Sequence, residues 1–271
     1  MEESPPSPAL PPQGGKGAES DPARRFGGII RIYGEAAFAR FTTSHICVIG
    51  VGGVGSWAVE ALARSGIGTL TLIDLDNVAE SNINRQLPAL GSTVGRAKVD
   101  VLKERCLDIN PACRIHTIED FIERDNLAAL IKPEFDYVLD CIDTARIKAA
   151  LIAHCRRNKI RLITLGGAGG QRDPGKIRLS DLSRTLQDPL LSKVRKELRQ
   201  QYGFSSNPKR RFDIPAVWSE EAMKLPENGP ACDLSCAGGI GSVMTVTASF
   251  ALVAVSHVLE RIAKLAPDNS G

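Results

Sequence analysis

Residues 45–66 read HICVIGVGGVGSWAVEALARSG, and this stretch decides the fold. Its first six residues are a short apolar run that predicts a buried β-strand. Residues 56–66 place apolar side chains at helical spacing and end on Gly66, a suitable helix C-cap. A GxGxxG sequence lies between them, so the stretch predicts a strand, a tight glycine-rich turn and a helix.

The glycines of the turn have different tasks in a phosphate-binding site. Gly50 permits the tight turn, Gly52 lets the backbone approach a phosphate, and Gly55 lets the helix pack closely on the strand. Gly53 belongs to the same predicted phosphate-binding turn, and the helix N-terminus favours an anion there. Asp74 follows 19 residues after Gly55, where a carboxylate can accept hydrogen bonds from ribose hydroxyls. These residues predict nucleotide binding, and they fit NAD as well as ATP.

The rest of the chain alternates strand and helix patterns. Apolar runs predict strands at 69–74, 113–119, 137–143, 161–167 and 176–182, and helical spacing predicts helices at 94–110 and 145–159. Strands that are separated by helices form right-handed βαβ units. The predicted class is therefore α/β, with a mostly parallel sheet covered by helices on both faces.

The composition is that of a soluble globular protein. Of 271 residues, 43% are hydrophobic and 24% are charged, which excludes disorder over the whole chain. Lysine and arginine number 34 against 31 acids, and the net charge of +3 is too small to mark a general nucleic-acid binder. Seven cysteines without a CxxC pair indicate reduced thiols, a cytoplasmic location and no zinc site.

We expect one domain after an N-terminal tail. Residues 1–22 are rich in Pro, Gly and Ser and lack the apolar core of a signal peptide, so we predict a disordered tail. Residues 23–271 are the predicted domain, with a basic insertion at about 183–235 and an apolar C-terminal helix at about 242–265. Residues 234–259 have no charged side chain and are long enough to cross a membrane. Their glycine and hydroxyl residues favour a buried or dimer-interface helix, which leaves membrane association as the minority alternative.

Charged residues after Asp74 distinguish ATP from NAD. A triphosphate requires cationic side chains and a metal-binding carboxylate, which a dinucleotide oxidoreductase does not need. Arg85 and Lys98 are candidates for the cations, and Asp143 is a candidate magnesium ligand. The alternative is that Arg85 is a surface charge and Lys98 part of an amphipathic helix. All three lie near the predicted carboxyl ends of parallel strands, where open α/β sheets bind ligands, and so we favour ATP.

Together these motifs resemble a known superfamily. The sequences GVGGVG, DLDNVAESNINRQ, VGRAK, INP and VLDCID are similar to those of the ThiF/MoeB superfamily, which adenylates carboxylates with ATP. The resemblance implies a Rossmann-like ATP-binding domain, with Asp74 on the ribose and Asp143 on magnesium. It also implies that Arg25, in RFGGIIRIYG, reaches the active site of a second subunit. The other nucleotide contacts that it implies are Asp76, Asn82, Arg85, Gln86 and Lys98.

Further sequences are similar to one branch of the superfamily, which acts on tRNA. They are RFGGIIRIYG, AHCRRNK, GGAGGQRDPGKI, LQDPL and LSCAGGIGSVMTVTASFALVAVSH. This resemblance implies that the carboxylate of threonylcarbamoyladenosine, next to the anticodon, is adenylated with ATP and then closes a ring with net loss of water. It implies ATP, magnesium, no zinc and a homodimer, and it leaves open a sodium or potassium ion and a sulfur-transfer partner. One departure is the region between Trp218 and Cys232, which is shorter than in that branch.

Cys236 has two interpretations. It lies in a glycine-rich turn before the apolar C-terminal stretch, where a helix N-terminus would favour the thiolate. It is then a catalytic nucleophile or a persulfide carrier, beside Arg85, Lys98 and Asp143. Alternatively it is a small buried hydrophobic residue, as free cysteines frequently are.

The candidate tRNA surface is the basic stretch 190–211. Its only acidic residue is Glu197, and its cations would bind phosphates without reading the sequence of the RNA. The alternative is a solvated helix face, in which case the cluster of Arg156, Arg157 and Lys159 is the next candidate. The cations of the basic stretch are Lys193, Arg195, Lys196, Arg199, Lys209, Arg210 and Arg211.

Three other functions remain open on the sequence. The chain could activate the C-terminus of a ubiquitin-like or sulfur-carrier protein, or it could be a non-catalytic Rossmann-type nucleotide-binding module. Stoichiometric zinc would favour the first, and failure to bind ATP would favour the second. An NAD-dependent oxidoreductase is the weakest alternative, because Arg85, Lys98 and Asp143 would then have no task.

Overall fold

A seven-stranded sheet lies at the centre of the computed structural model, which describes residues 21–224 and 240–265. Its strands are β1 (His45–Ile49), β2 (Thr69–Ile73), β3 (Arg114–Ile118), β4 (Tyr137–Asp140), β5 (Leu162–Leu165), β6 (Ile177–Asp181) and β7 (Pro215–Ser219). They lie in the order β3-β2-β1-β4-β5-β7-β6. All neighbours are parallel except β6, which pairs antiparallel with β7 at one side of the sheet.

Helices separate most of these strands. They are α1 (Pro22–Tyr33), α2 (Glu35–Thr43), α3 (Gly55–Arg64), α4 (Lys98–Ile109), α5 (Leu127–Leu130), α6 (Ala145–Arg157), α7 (Pro189–Gln201) and α8 (Met244–Ala263). Each predicted strand is present, and each is shorter than the apolar pattern that predicted it. The predicted α/β class with a mostly parallel sheet is confirmed.

Helices cover both faces of the sheet, and β1 shows why. Ile46 and Val48 belong to the hydrophobic core on the side of α2, α3, α4 and α8, whereas Cys47 and Ile49 belong to the core on the side of α5, α6 and α7. Successive side chains of a strand alternate between the two faces of the sheet. A strand that is buried on both faces must therefore be apolar throughout, and HICVI is such a sequence.

The order of the strands creates a cleft beyond the carboxyl ends of the neighbouring strands β1 and β4. The chain leaves β1 through α3 on one face, but it leaves β4 through α6 on the other. The two loops separate at the carboxyl ends of these strands, which is where open α/β sheets bind their ligands. We call this side of the sheet the carboxyl edge and the opposite side, where the parallel strands begin, the amino edge.

Besides the shorter strands, three parts of the chain differ from the prediction in ways that the structure explains. The helix expected from residue 94 begins at Lys98, because Asn77 and Ala97 form an antiparallel bridge just before it. Asp21 and Pro22, which were expected in the tail, are the N-cap and the first residue of α1. Residues 1–20 of that tail lie outside the described residues. The segment at about 183–235, which the sequence predicts as a basic insertion, contributes β7 to the sheet between β5 and β6, and its description as an insertion stays a prediction.

Helix α8 is the apolar C-terminal helix that the sequence predicted. It passes the length and hydropathy criteria for a membrane span, with a mean hydropathy of 1.4 in a window that is 56% buried. Phe250 and Val258 have no exposed surface, and the helix packs against α2 and α3 over the sheet. In the described residues, α8 is thus a core helix with one outward face.

Candidate nucleotide-binding site

The turn between β1 and α3 has room only for glycine at its two ends. Gly50 has a φ of +79°, and its N–H donates to the carbonyl of Ile73 at 2.9 Å. A Cβ atom on Gly55 would lie 1.9 Å from the carbonyl oxygen of Gly50. Any side chain at position 55 would therefore separate α3 from the strand, and the tasks predicted for these two glycines agree with the geometry.

The middle of the turn presents free backbone donors. Among the described residues, the N–H groups of Gly52, Gly53 and Val54 donate no hydrogen bond, and all three residues are partly exposed. They lie at the N-terminus of α3, where the aligned peptide dipoles favour an anion. Unpaired amides in this position are free to bind an anion, so the phosphate-binding turn stays a prediction that the geometry allows.

Asp74 ties this turn to the neighbouring strand. Its carboxylate accepts the N–H of Val51 at 2.7 Å and the N–H of Asp76 at 2.9 Å. Burial raises the pKa of Asp74, and the hydrogen bonds from these amides partly offset that increase. Each carboxylate oxygen can accept more than one hydrogen bond, so the ribose contact expected of Asp74 stays a prediction.

Lys98 is a buried residue at the start of α4. Its side chain is 5% exposed, and its ammonium group lies 2.8 Å from the carboxylate of Asp76, which is 56% exposed. The backbone N–H of Lys98 also donates to the carbonyl of Asp76 at 3.1 Å. Lys98 therefore holds the loop that follows Asp74, and a contact of Lys98 with phosphate stays a prediction.

Arg85 lies over the glycine turn. A Cβ atom on Gly53 would lie 3.4 Å from the Cγ of Arg85, and the carbonyl of Arg85 accepts a hydrogen bond from the indole of Trp57 at 2.9 Å. The guanidinium group donates to the carbonyl of Ser81 and the side chain of Asn84, both at 2.9 Å. No carboxylate within the described residues neutralises it. Its charge is available to a ligand in the turn.

Gln86 and Asn82 flank this arginine. Gln86 is 7% exposed, and its amide nitrogen lies 3.7 Å from the position of a Cβ atom on Gly52. Its Oε1 atom is buried and has no partner among the described residues, which leaves an acceptor for a ligand donor. Asn82 accepts the N–H of Ala79 at 3.1 Å and so closes the turn before Arg85.

Asp143 lies across the cleft, in the loop between β4 and α6. It is exposed, and its carboxylate accepts a hydrogen bond from the hydroxyl of Thr144 at 3.4 Å. The loop stays next to β1 because the N–H of Cys141 donates to the carbonyl of Ile49 at 2.9 Å. Magnesium is usually held by one or two carboxylates together with phosphates and water, so one exposed carboxylate opposite a phosphate-binding turn fits it.

The sequence prediction missed two charged residues behind this loop. Asp140, at the end of β4, and Lys148, in α6, form an ion pair at 2.9 Å in which both side chains are completely buried. A lysine within the apolar helix sequence ARIKAALIAHC was the signal that could have found it. A fully buried lysine requires a buried acidic partner, because an unpaired charge in the core is strongly unfavourable.

Cys236 and Cys232 lie outside the described residues. Cys47, Cys106, Cys113 and Cys155 are buried, and Cys141 is partly buried. Burial raises the pKa of Cys106 to about 12 and that of Cys113 to about 11. These two thiols are therefore protonated and unreactive at neutral pH.

Arg25 is far from the glycine turn of its own chain. Its guanidinium donates to the carbonyls of Ile109 at 2.7 Å and Asp108 at 3.2 Å, at the C-terminus of α4. The chain enters β3 from this point, so Arg25 lies at the amino edge. The predicted contact of Arg25 with a nucleotide is thus possible only in a second copy of the chain.

Four of the predicted tRNA-binding cations lie on α7, and the other three lie in the loop before β7. Lys193 and Lys196 are exposed on α7, whereas Arg195 is half-buried and donates to the hydroxyl of Thr185. Arg199 lies over the ring of Phe212, with 5.4 Å between its guanidinium carbon and the ring centroid. Lys209, Arg210 and Arg211 are exposed just before β7, at the amino edge.

The two alternative basic clusters of the sequence meet at the amino edge. The guanidinium of Arg156 lies 4.6 Å from the ring centroid of Phe204, and it donates to the carbonyl of Phe212 at 3.3 Å. This contact joins the end of α6 to the loop before β7. We call the resulting surface the basic edge; its members are Arg156, Arg157, Lys159, Lys209, Arg210 and Arg211.

Comparison with known proteins agrees with this geometry. The sequence pattern of the ThiF family matches residues 27–270. The chain therefore belongs to the ThiF family, as its motifs predicted.

Within the family, the chain is similar to tRNA threonylcarbamoyladenosine dehydratases over nearly its whole length. It is 52% identical to the dehydratase of Haemophilus influenzae over 245 residues, which cover 89% of this chain and 94% of that relative. It is 49% identical to the Escherichia coli dehydratase over 250 residues, which cover 88% of this chain and 93% of the relative. A crystal structure of the Escherichia coli enzyme in complex with ATP matches with a TM-score of 0.84 at 49% identity, over 91% of this chain and 97% of that chain.

We expect Arg85→Ala and Lys98→Ala to have different effects on stability. Arg85→Ala should lower ATP-dependent turnover about a hundredfold, the typical loss for one charge-stabilising donor, without changing the melting temperature. Lys98→Ala also removes a buried side chain and its ion pair, so it should lower both turnover and the melting temperature. Calorimetry without nucleotide and a turnover assay separate these effects, with Lys103→Ala on α4 as the control. Wild-type turnover in both variants would contradict the assignment of these cations to the ATP site.

Proposed function

We propose that this protein is an ATP-dependent tRNA threonylcarbamoyladenosine dehydratase, which acts on the modified adenosine next to the anticodon. One observation supports this most strongly. Free amides at Gly52 and Gly53, the cation of Arg85 and the carboxylate of Asp143 meet at one cleft of the sheet. The chain that carries these groups is 52% identical to a tRNA threonylcarbamoyladenosine dehydratase. Because the substrate is tRNA, we also propose a cytoplasmic location.

The reaction requires activation of a carboxylate, which is a poor electrophile. A carboxylate oxygen of the threonyl group attacks the α-phosphorus of ATP, and pyrophosphate leaves, so that a mixed anhydride with AMP forms. The carbamoyl-amide group of the same nucleoside then attacks the anhydride carbon and expels AMP, which takes one carboxylate oxygen with it. A proton is released, and the sum is ring closure with loss of water. The attack is intramolecular, so correct orientation lowers the barrier without an enzyme nucleophile.

The residues of the cleft have matching tasks in the adenylation step. The amides of Gly52 and Gly53 and the N-terminus of α3 bind phosphate oxygens. Arg85 stabilises the negative charge that develops on the departing pyrophosphate. Asp74 accepts the ribose hydroxyls, and Lys98 keeps Asp76 and the surrounding loop in place. The buried Oε1 atom of Gln86 is the acceptor for a further donor of the nucleotide or the substrate.

Magnesium fits the same cleft through Asp143. Within residues 21–224 and 240–265, no group of three or more His, Cys, Asp or Glu residues could hold a metal ion alone. A single carboxylate suffices for magnesium only when phosphates supply further oxygen ligands. Bound there, magnesium would neutralise phosphate charge during adenylation. We therefore propose that Asp143 holds magnesium together with ATP rather than before it.

The tRNA surface that we propose runs along α7 from the carboxyl edge to the basic edge. Helix α7 begins next to the loop after β5, where the carboxylate of its N-cap Asp188 accepts the N–H of Gly167 at 3.0 Å. It ends near Phe204 at the amino edge, so its 13 residues span about 20 Å. Lys193 and Lys196 lie exposed between the two ends. A nucleic-acid backbone along this line would contact cations while the anticodon side approaches the ATP cleft.

We also propose that the protein is a homodimer. The outward face of α8 combines Leu252, which is 53% exposed, with Thr245, Ser249 and Ser256 at helical spacing. Arg25 lies at the edge opposite its own glycine turn, so any nucleotide contact by Arg25 needs a second chain. Sedimentation at the concentrations used for activity should give a dimer. A monomer that is fully active would contradict this proposal.

The central test is the product of the reaction. We expect the protein, incubated with ATP, magnesium and tRNA that contains threonylcarbamoyladenosine, to give a nucleoside lighter by one water molecule, together with AMP and pyrophosphate. Mass measurement of the digested nucleosides detects the change. The Asp143→Asn variant and a reaction without ATP are the controls, and both should leave the nucleoside unchanged. ATP binding without any decrease in mass would contradict the dehydratase function and favour a nucleotide-binding module.

Salt dependence tests the tRNA surface apart from the chemistry. Replacing Lys209, Arg210 and Arg211 by Ala should weaken the binding of modified and unmodified tRNA alike. A plot of log affinity against log salt has a negative slope, and the variant should make this slope shallower by about three units, about one for each cation that no longer binds a phosphate. ATP affinity should not change, because the triplet lies at the amino edge.

A matched control keeps the same change in net charge. The triple variant of Arg31, Arg64 and Lys103 to Ala removes three positive charges from α1, α3 and α4. It should leave the salt slope close to that of the wild type. A wild-type slope in both triple variants would mean that Lys209, Arg210 and Arg211 make no phosphate contact, and the cluster of Arg156, Arg157 and Lys159 would then be the next candidate.

A further inference from the structure

The fold places a positive charge where no solvent reaches it. Lys148 lies in the first half of α6, and its side chain and that of Asp140 are both 0% exposed. The ammonium group lies 2.9 Å from a carboxylate oxygen of Asp140 and donates to the backbone carbonyl of the same residue, also at 2.9 Å. Lys148 thus binds the last residue of β4 at two points.

Asp140 is fully satisfied in turn. One carboxylate oxygen accepts the hydroxyl of Thr164, from β5, at 2.7 Å. The other accepts the N–H of Ile142 at 3.2 Å, in addition to the ammonium of Lys148. Burial raises the pKa of Asp140, while Lys148 and these hydrogen bonds stabilise its charged form. The pair therefore joins β4, β5 and α6 to the backbone of the loop that follows.

Stability alone does not explain such a pair. Apolar side chains of similar volume usually stabilise a core as well as a buried ion pair does, because both charges must lose their water. The directional contacts are what apolar residues cannot provide. They restrain the loop from residue 141 to residue 144 at its start, through the carbonyl of Asp140 and the N–H of Ile142. Asp143 is the next residue of this loop.

We propose that Lys148 is a positioning residue for the nucleotide site. Through its ion pair with Asp140 it holds the loop after β4 in the conformation that presents the carboxylate of Asp143 to the magnesium complex of ATP. This inference rests on the proposed function, since it concerns the same cleft. Residues that orient a metal ligand from behind commonly change metal affinity by about ten- to a hundredfold when they are removed.

The direct test is Lys148→Met, which keeps the length of the side chain but removes its charge. We expect the magnesium concentration that half-saturates ATP binding to rise about tenfold or more, as for other residues behind a metal ligand. Binding of ATP without magnesium should stay close to wild type, because the glycine turn is unchanged. Titration of a fluorescent ATP analogue with and without magnesium measures both quantities, and it requires no tRNA.

A double variant separates positioning from simple stability. Lys148→Met leaves Asp140 charged and unpaired, so it lowers the melting temperature as well. The double variant Asp140→Asn with Lys148→Met removes the buried charge and should recover the melting temperature. It should nevertheless keep the raised magnesium requirement, because the backbone carbonyl of residue 140 no longer accepts a hydrogen bond from Lys148. Glu60→Gln, which breaks the ion pair of Glu60 with Arg64 within α3 and its ion pair with Arg105 of α4, is the control and should not alter the magnesium requirement.

The outcomes are distinct. A normal magnesium requirement in the double variant, with its stability recovered, would overturn the positioning role. If Lys148→Met does not fold, the double variant and Thr164→Val decide the question; Thr164→Val removes only the hydroxyl donor to Asp140 and should raise the requirement in the same direction. A wild-type protein that binds no ATP would instead overturn the proposed function.

Discussion

The contact between the backbones at Gly50 and Gly55 is the constraint on which the site depends. With 1.9 Å between the carbonyl oxygen of Gly50 and the place of a Cβ atom on Gly55, α3 can start this close to β1 only without a side chain. With α3 in this position, the amides of Gly52, Gly53 and Val54 are unpaired, and the positive end of the helix dipole points into the cleft. Asp74 then fastens the turn to β2 through Val51. Arg85 and Gln86 can approach the turn because it has so few side-chain atoms.

In the function that we propose, the two edges of the sheet have different tasks: ATP binds at the carboxyl edge, and a distant part of the tRNA binds at the basic edge. The proposed nucleotide cleft lies at the carboxyl edge, where the loops that follow β1 and β4 separate, whereas the basic edge lies where the strands begin. A small substrate would need only the cleft at the carboxyl edge. A tRNA is long enough to contact both, so cations at a distance from ATP are compatible with a reaction at the anticodon. Affinity for RNA and catalysis should therefore respond independently to substitutions at the two edges.

Most of the fold and about half of the site could be predicted from the sequence. The glycine turn, Asp74 and the alternation of strands and helices depend on local sequence patterns, so they could be predicted. The burial of Lys98 against Asp76 could not be predicted from the sequence, since it depends on the bridge between Asn77 and Ala97. The pair of Asp140 and Lys148, and the place of β7 between β5 and β6, likewise depend on packing between distant elements. Cys236 remains a prediction, because it lies outside the described residues.

The claim that ATP binds over the glycine turn, between β1 and β4, is tested most directly by amide hydrogen exchange. Exchange is compared for the protein alone and with ATP and magnesium, and it is followed peptide by peptide. We predict slower exchange in residues 51–57 and in the loop at 141–144, with no change in residues 204–211 at the amino edge. Protection at the amino edge without any change in the glycine turn would contradict this account.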